Sequence, residues 1–230
     1  MTLDELADWD GPVRDEPADF DVVESVTRYR GYVWDVQTDH VTIGDQTVQR
    51  DFLAHTGAVA VIALDDQDRV YLLRQYRHPV GMYLFEPPAG LIDVAGEDPL
   101  LTAQRELAEE AGLEAQTWNV LVDFFTSPGG SSETIRIYLA RDLSVLDGGR
   151  IQTGEAEEID LPAQWVPLAD AVALVMSADI ANPTAAFGVL AASVAKRADW
   201  STLRPPQAPW PARDYLLEHG RVRTDVAPRH

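Results

Sequence analysis

The sequence predicts an α/β protein in which a small N-terminal unit of antiparallel strands precedes a larger main domain. An uninterrupted apolar run, residues 58–64, is typical of a strand that is buried on both faces. Residues 100–111 have the apolar spacing of an amphipathic helix, and the strand patterns that follow alternate with helical ones. The chain has 230 residues, of which 46% are hydrophobic, so it can bury a sizeable core.

The N-terminal unit, which we place at residues 1–56, has the pattern of a strand meander. From residue 21 to residue 52, β-favouring residues alternate with polar ones, and Gly44-Asp45-Gln46 predicts a turn between two strands. The run Tyr32-Val33-Trp34 breaks this alternation. Three large apolar residues in a row suit a strand that is covered on both faces or pressed against a second chain.

The main domain, which we place at residues 57–199, begins with the buried strand. Asp65–Asp68 predicts a turn, and residues 70–73 predict a strand that pairs with the first one as a hairpin. A helix is predicted over residues 100–111, because Pro99 suits a first helical turn and Gly112 suits a C-terminal cap. The apolar stripe of this helix consists of Leu100, Ala103, Leu107 and Ala111.

The rest of the chain continues the alternation of strands and helices and then becomes proline-rich. Strands are predicted at residues 118–123, 134–140 and 159–166, and helices near residues 169–176 and 183–198. Pro205, Pro206, Pro209 and Pro211 predict a linker and a short tail over residues 200–230.

The composition excludes several classes of function. The chain has 38 Asp and Glu residues against 18 Lys and Arg residues, a net charge of -20, so nucleic acids and anionic membranes are not expected partners. Without cysteine there is no disulfide, thiolate zinc site or Cys nucleophile, and with Lys196 as the only lysine there is no GK[ST] phosphate loop. No signal peptide or membrane-spanning run is visible, so we expect a cytoplasmic protein.

Three glutamates share one side of the helix predicted at residues 100–111. Glu106, Glu109 and Glu110 have the spacing i, i+3, i+4, which places their carboxylates together while the apolar stripe faces the sheet. Such a group is often only a solvated acidic face. Clustered carboxylates on a rigid helix are also the ligands that Mg²⁺ prefers, and Mg²⁺ can neutralise a pyrophosphate so that water can approach phosphorus.

The segment from Gly90 to Leu113 resembles the Nudix box, G-x5-E-x7-R-E-U-x-E-E-x-G-U, in which U is aliphatic. It departs from that pattern once, with six residues instead of five between Gly90 and Glu97. Arg74–Pro79, Glu86–Gly90 and Ser127–Glu133 are similar to segments of the ADP-ribose pyrophosphatase branch of the family. The resemblance implies a Nudix-like α/β/α sandwich on a mixed sheet, with an N-terminal strand domain exchanged between the subunits of a homodimer.

The resemblance also implies roles for the residues of the box. It makes Glu106 and Glu110 the main ligands of Mg²⁺, or of Mn²⁺ in its place, with the carbonyl of Ala89 completing the site. Glu109 lies close by as a further ligand and a candidate catalytic residue. Glu97 is expected to pair with Arg105 and hold the loop onto the helix. Gly90 and Gly112 are structural positions of the same motif.

Outside the box, the resemblance points to a base and to substrate contacts. A glutamate on the loop before residue 159 is expected to activate the water, and the strand register favours Glu157 over Glu158. Arg77 and Arg50 match positions that contact phosphates, and Glu133 is a candidate contact to the ribose. Tyr29, Tyr32 and Trp34 are candidates for stacking on adenine, although packing in a core or an interface is the alternative for each.

The resemblance therefore implies a Mg²⁺-dependent enzyme that hydrolyses ADP-ribose, a small nucleotide sugar, to AMP and ribose 5-phosphate. One alternative keeps the chemistry and changes the substrate to another nucleoside diphosphate sugar. A second is a catalytically silent nucleotide sensor, a class that tends to lose glutamates of the box. None of those glutamates is missing from this sequence.

Overall fold

The structure, a computed structural model, describes residues 11–94, 96–150 and 161–224. Near the N-terminus, β1 (Val22–Arg30), β2 (Asp35–Ile43) and β3 (Gln46–Ala54) form an antiparallel sheet in the order β1-β2-β3. This confirms the predicted meander. The strand predicted at Tyr32-Val33-Trp34 is wrong, because these residues connect β1 to β2. The Gly31 N–H closes this connection by donating to the carbonyl of Trp34 at 3.1 Å.

Two further sheets follow the N-terminal one along the chain. The mixed sheet has the order β7-β4-β9-β8 and contains β4 (Ala58–Ala63), β7 (Ala89–Leu91), β8 (Leu113–Phe125) and β9 (Thr134–Val145). Within it β4 and β9 are parallel, and the other pairs are antiparallel. The second sheet is antiparallel, in the order β10-β5-β6, and contains β5 (Arg69–Arg77), β6 (Met82–Glu86) and β10 (Ala163–Pro167).

The predicted hairpin between β4 and β5 is wrong beyond its turn. A single bridge joins Leu64 to Val70, and then β5 leaves to pair with β6 and β10. The reason lies in the neighbours of β4. One edge of β4 is paired with β7 and the other with β9, so neither edge is open to β5.

Helices cover both faces of the mixed sheet. The helix α1 (Pro99–Glu106) continues as a π-helical turn, Leu107–Ala111, on one face, while α2 (Leu168–Met176) and α3 (Pro183–Arg197) lie on the other side. The side chains of β4 alternate between the two cores: Val59 and Val61 pack with α1, whereas Ile62 packs with α3. This confirms the α/β/α sandwich that the resemblance to the Nudix box implies. None of the helices in the described ranges combines the length and apolarity needed to cross a bilayer.

The segment after residue 200 is more structured than the predicted linker. It contains α4 (Pro211–Glu218), and the side chains of Trp210 and Leu216 are buried. The Arg136 guanidinium on β9 donates to the carbonyls of Ala208 and Pro209 at 2.7 and 2.9 Å. The prolines therefore shape a segment that packs against the sheet.

Candidate active site

The helix that carries the three glutamates is fixed at both ends by local interactions. At its start, a carboxylate oxygen of Asp98 accepts a hydrogen bond from the Leu100 N–H at 2.9 Å, and Pro99 occupies the first turn. At its end, Gly112 has a left-handed φ of 66°. The last turn is π-helical, a distortion that is frequent at functional sites.

Glu106 lies directly against the backbone of β7. Its side chain is buried, and a Cβ atom at Gly90 would lie only 2.0 Å from the Oε1 of Glu106. Any side chain at position 90 would therefore displace this carboxylate. The glycine of the motif is explained by this close approach.

Glu110 contacts the same short strand. Its Oε2 accepts a hydrogen bond from the Ala89 N–H at 2.8 Å, and its side chain is buried. Glu106 and Glu110 thus place two buried carboxylates, one helical turn apart, against adjacent residues of β7. Burial of two like charges is costly unless positive charge compensates for it.

Arg105 supplies part of that compensation. Its Nη1 lies 2.7 Å from Glu106 and 3.3 Å from Glu109, and its Nη2 lies 3.6 Å from Glu97. Partial burial alone would lower the pKa of Arg105, but these carboxylates outweigh the burial and raise that pKa above its ordinary value. Glu97 is held in addition by the Thr102 hydroxyl, which donates to it at 2.8 Å.

The donor set at β7 fits a hard divalent cation. The two buried carboxylates and the carbonyl of Ala89 are all oxygen donors, which is the chemistry that Mg²⁺ prefers. Within the part of the chain that the structure describes, however, no group of three or more acidic or histidine side chains converges on one point. Glu106 and Glu109 turn to Arg105, while Glu110 turns to the Ala89 N–H.

Arg77 is anchored by a buried carboxylate that sequence reasoning missed. Its Nε and Nη2 donate to Glu86 on β6 at 2.9 and 2.7 Å. Glu86 is buried and also accepts from Asn182 at 3.1 Å, and Asn182 in turn caps α3. This bonding fixes the orientation of Arg77 while its side chain stays 43% exposed. Arg50, in contrast, lies exposed on β3 and donates to the carbonyl of Gln49.

Glu133 lies just before β9 with two partners on its carboxylate. The Thr126 hydroxyl donates to its Oε2 at 2.6 Å, and the Nε2 of His55 lies 3.4 Å from its Oε1. His55 is a second residue that sequence reasoning missed. Its signal was a histidine placed just before the buried strand β4.

The structure describes no contact between the remaining predicted site residues and the glutamates of α1. Tyr29, Tyr32 and Trp34 are 61%, 61% and 39% exposed in the N-terminal sheet domain. Glu157 and Glu158, the candidate bases, lie outside the described residues.

Comparison with known proteins identifies the family. A family model described as the NUDIX domain matches residues 54–187, more than half of the chain. The chain belongs to the Nudix family. The ADP-ribose pyrophosphatase of Mycobacterium tuberculosis is 45% identical over 174 residues, which cover 75% of this chain and 83% of that protein. The ADP-ribose pyrophosphatase of Bacillus subtilis is 34% identical over 162 residues, which cover 70% of this chain and 85% of that protein.

A solved structure has a similar fold. The crystal structure of an ADP compounds hydrolase matches with a TM-score of 0.64 and 22% identity, covering 91% of this chain and 100% of that one. At this identity the likeness concerns the fold alone.

The loop between Gly90 and Glu97, in which the Nudix box is one residue longer than its pattern, has described residues that line a cleft. The loop between Gly90 and Glu97 and the segment around α4 line a cleft of about 450 Å³. Glu106, Glu109 and Glu110 do not line this cleft. The longer loop therefore leaves the glutamate face of α1 in place.

Proposed function

We propose that this Nudix enzyme hydrolyses the pyrophosphate bond of ADP-ribose, giving AMP and ribose 5-phosphate. The observation that carries the proposal is the pair of buried carboxylates, Glu106 and Glu110, against β7. Two relatives with this activity in their names, at 45% and 34% identity over most of their length, support ADP-ribose as the substrate.

The proposed cofactor is Mg²⁺, with Mn²⁺ as a substitute, held by Glu106, Glu109, Glu110 and the carbonyl of Ala89. When bound, such a cation neutralises pyrophosphate charge and makes water a better nucleophile. This proposal is supported by the burial of Glu106 and Glu110, by the partial burial of Glu109, and by the position of all three on a capped helix. Arg105 pairs with Glu106 and Glu109 and so helps to hold their carboxylates in place.

The other proposed roles concern the substrate and the water. Arg77, fixed by Glu86, presents a guanidinium to phosphate oxygens, with Arg50 as a second candidate. Glu157, or Glu158 as the alternative, takes the proton from the attacking water. Water then forms the new P–O bond as the bond from phosphorus to the bridging oxygen breaks, and the two phosphate monoesters leave.

The substrate is tested by turnover of ADP-ribose, ADP-glucose and GDP-mannose side by side with Mg²⁺. We expect the highest kcat/KM for ADP-ribose. A preference for a sugar nucleotide without adenine would contradict the proposal and would favour the alternative of another nucleoside diphosphate sugar.

The metal ligands are tested by Glu110→Gln. The amide can still accept the hydrogen bond from the Ala89 N–H, so we expect the fold to survive while turnover falls by about 100-fold or more. Glu114→Gln, at an exposed glutamate on β8, is the matched control. A Glu110→Gln enzyme with the wild-type rate would remove Glu110 from the proposed metal site.

We also propose that the enzyme is a homodimer formed through its N-terminal sheet. In a single chain the strand β1 is exposed along most of its length, and Tyr29, Tyr32 and Trp34 expose large apolar surfaces. Exposed apolar patches of this kind mark interaction surfaces. If the partner sheet reaches the active site, these aromatic rings become available to stack on adenine.

A further inference from the structure

The imidazole of His55 is held in one tautomer by the backbone. Its Nδ1 accepts a hydrogen bond from the Gly57 N–H at 3.1 Å, and the backbone N–H of His55 donates to the Ser132 hydroxyl at 3.1 Å. A nitrogen that accepts carries no proton, so the proton of the neutral ring is on Nε2. The Nε2 atom, which carries this proton, lies 3.4 Å from Oε1 of Glu133.

The Glu133 carboxylate is held from both sides. His55 contacts Oε1, the Thr126 hydroxyl donates to Oε2 at 2.6 Å, and the Glu133 N–H donates to the Ser131 hydroxyl at 3.1 Å. Each carboxylate oxygen can accept two hydrogen bonds, so each retains one acceptor position. The side chain of Glu133 is 24% exposed, which leaves room for a ligand.

The imidazole of His55 is neutral at neutral pH. Burial lowers the pKa of His55, and the carboxylate of Glu133 opposes that shift only in part. The ring therefore stays neutral at neutral pH and contributes a donor without a full positive charge. A neutral ring leaves the acceptor positions of the Glu133 carboxylate open to a ligand without forming an ion pair with it.

We infer that His55 is a positioning residue, which holds Glu133 in the orientation that accepts hydrogen bonds from the neighbouring hydroxyls of the substrate's terminal ribose. This inference rests on the proposed function. A carboxylate with two oriented oxygens matches two adjacent hydroxyl donors, and a mobile carboxylate would lose part of that recognition.

Two substitutions separate positioning from a merely structural role. His55→Asn keeps an acceptor near Nδ1 for the Gly57 N–H but loses the donor at Nε2. His55→Gln has the length to place an amide N–H near Nε2. We expect the KM for ADP-ribose to rise about 10-fold in His55→Asn, with a smaller change in kcat, and His55→Gln to recover most of that loss. His219→Asn, at the end of α4, is the control for the substitution itself.

The outcomes are distinguishable. Equal KM values in His55→Asn and the wild type, or equal losses in both His55 variants, would overturn the role of His55 while leaving the proposed function intact. Absence of ADP-ribose turnover in the wild-type enzyme would overturn both. Because KM does not depend on the fraction of folded enzyme, partial unfolding of a variant cannot imitate the expected result.

A second measurement requires no variant. The ¹⁵N chemical shifts of the His55 ring in the wild-type enzyme report which nitrogen carries the proton. We expect the Nε2–H tautomer at neutral pH and a change in the Nε2 signal when ADP-ribose is added with Ca²⁺ as a non-activating cation. A ring protonated on Nδ1, or an Nε2 signal that ignores the substrate, would overturn the inference.

Discussion

At the scale of single residues, Gly90 is the position on which the arrangement of the glutamates depends most directly. In Gly90→Ala, the new Cβ would lie 2.0 Å from the Oε1 of Glu106, so the carboxylate or the strand has to move. We expect the free energy of unfolding to fall by about 1–3 kcal/mol, as in overpacked cores, and the turnover of ADP-ribose to fall with it. Urea denaturation and steady-state kinetics measure the two effects.

Gly129→Ala is the matched control for this prediction. A Cβ at residue 129 has no atom within 4 Å, so the free energy of unfolding should stay within about 0.5 kcal/mol of the wild type. If Gly90→Ala is as stable and as active as the wild type, the close approach of Glu106 to β7 does not control the site.

His55 also predicts how stability depends on pH. Burial lowers the pKa of His55 in the folded protein, against an opposing effect of Glu133, whereas the unfolded chain has the ordinary value near 6.5. Below pH 6.5 the unfolded chain binds a proton that the folded protein resists, so the free energy of unfolding decreases as the pH falls through this value. Urea denaturation between pH 5 and pH 7 should show a shallower decrease in His55→Gln. If the free energy of unfolding depends on pH equally in the wild type and in His55→Gln, His55 is not the group responsible.

Sequence reasoning identified the residues of the helix better than their partners. The spacing of Glu106 and Glu110 along one helix is a local property, and it could be predicted without knowing the fold. The bond between Arg77 and Glu86 depends on the pairing of β5 with β6, and the contact of Glu86 with Asn182 spans 96 residues. Neither partner is visible in a local pattern. The ion pair that anchors Arg77 could therefore be identified only from the structure.

At the scale of elements, local sequence patterns predicted where strands and helices occur. Which strands pair with each other depends on how several strands compete for the same edges, and a local pattern does not contain that information. The apolar pattern of residues 58–64 predicted a buried strand, and every residue of β4 is buried. That pattern does not say which strands occupy the two edges. The short strand β7 takes one edge of β4 and excludes β5, although only three residues form it. Similarly, the prolines around α4 predicted a linker, whereas the structure has a helix there that is stabilised by tertiary contacts.

The C-terminal element gives a prediction of its own. Trp210, just before α4, is 4% exposed, and the Arg136 guanidinium lies 4.7 Å from the centre of its ring. Trp210→Ala should remove this packing and lower the free energy of unfolding by about 3–5 kcal/mol. The control is Leu217→Ala on α4, where the side chain is 43% exposed and the expected loss is below about 1 kcal/mol. A loss in Trp210→Ala as small as that expected for Leu217→Ala would mean that the segment does not belong to the cooperative core.

At the scale of the whole molecule, the net charge of -20 affects how an anionic substrate can bind. An acidic protein repels an anionic pyrophosphate over a distance of about 10 Å at 0.1 M salt. Binding of ADP-ribose therefore depends on local positive charge, which the proposed site obtains from a divalent cation and from Arg77. The acidity that disfavours polymeric anions as partners is compatible with the proposed binding of a small anion beside a metal ion.

The last prediction concerns the assembly. In the part of one chain that the structure describes, β1 is an edge strand of a three-stranded sheet, and Tyr32 and Trp34 are exposed in the connection that follows it. Exposed edges and apolar patches are normally covered, so we expect a particle of twice 25.4 kDa in light scattering after size-exclusion chromatography. A double substitution, Tyr32→Glu and Trp34→Glu, should shift the particle to 25.4 kDa, because it places charge in the interface. Val145→Glu, at a side chain that is 74% exposed on β9, should remain dimeric. A wild-type particle of 25.4 kDa would show that this sheet does not join two chains, and the aromatic residues would then lose their proposed route to the adenine.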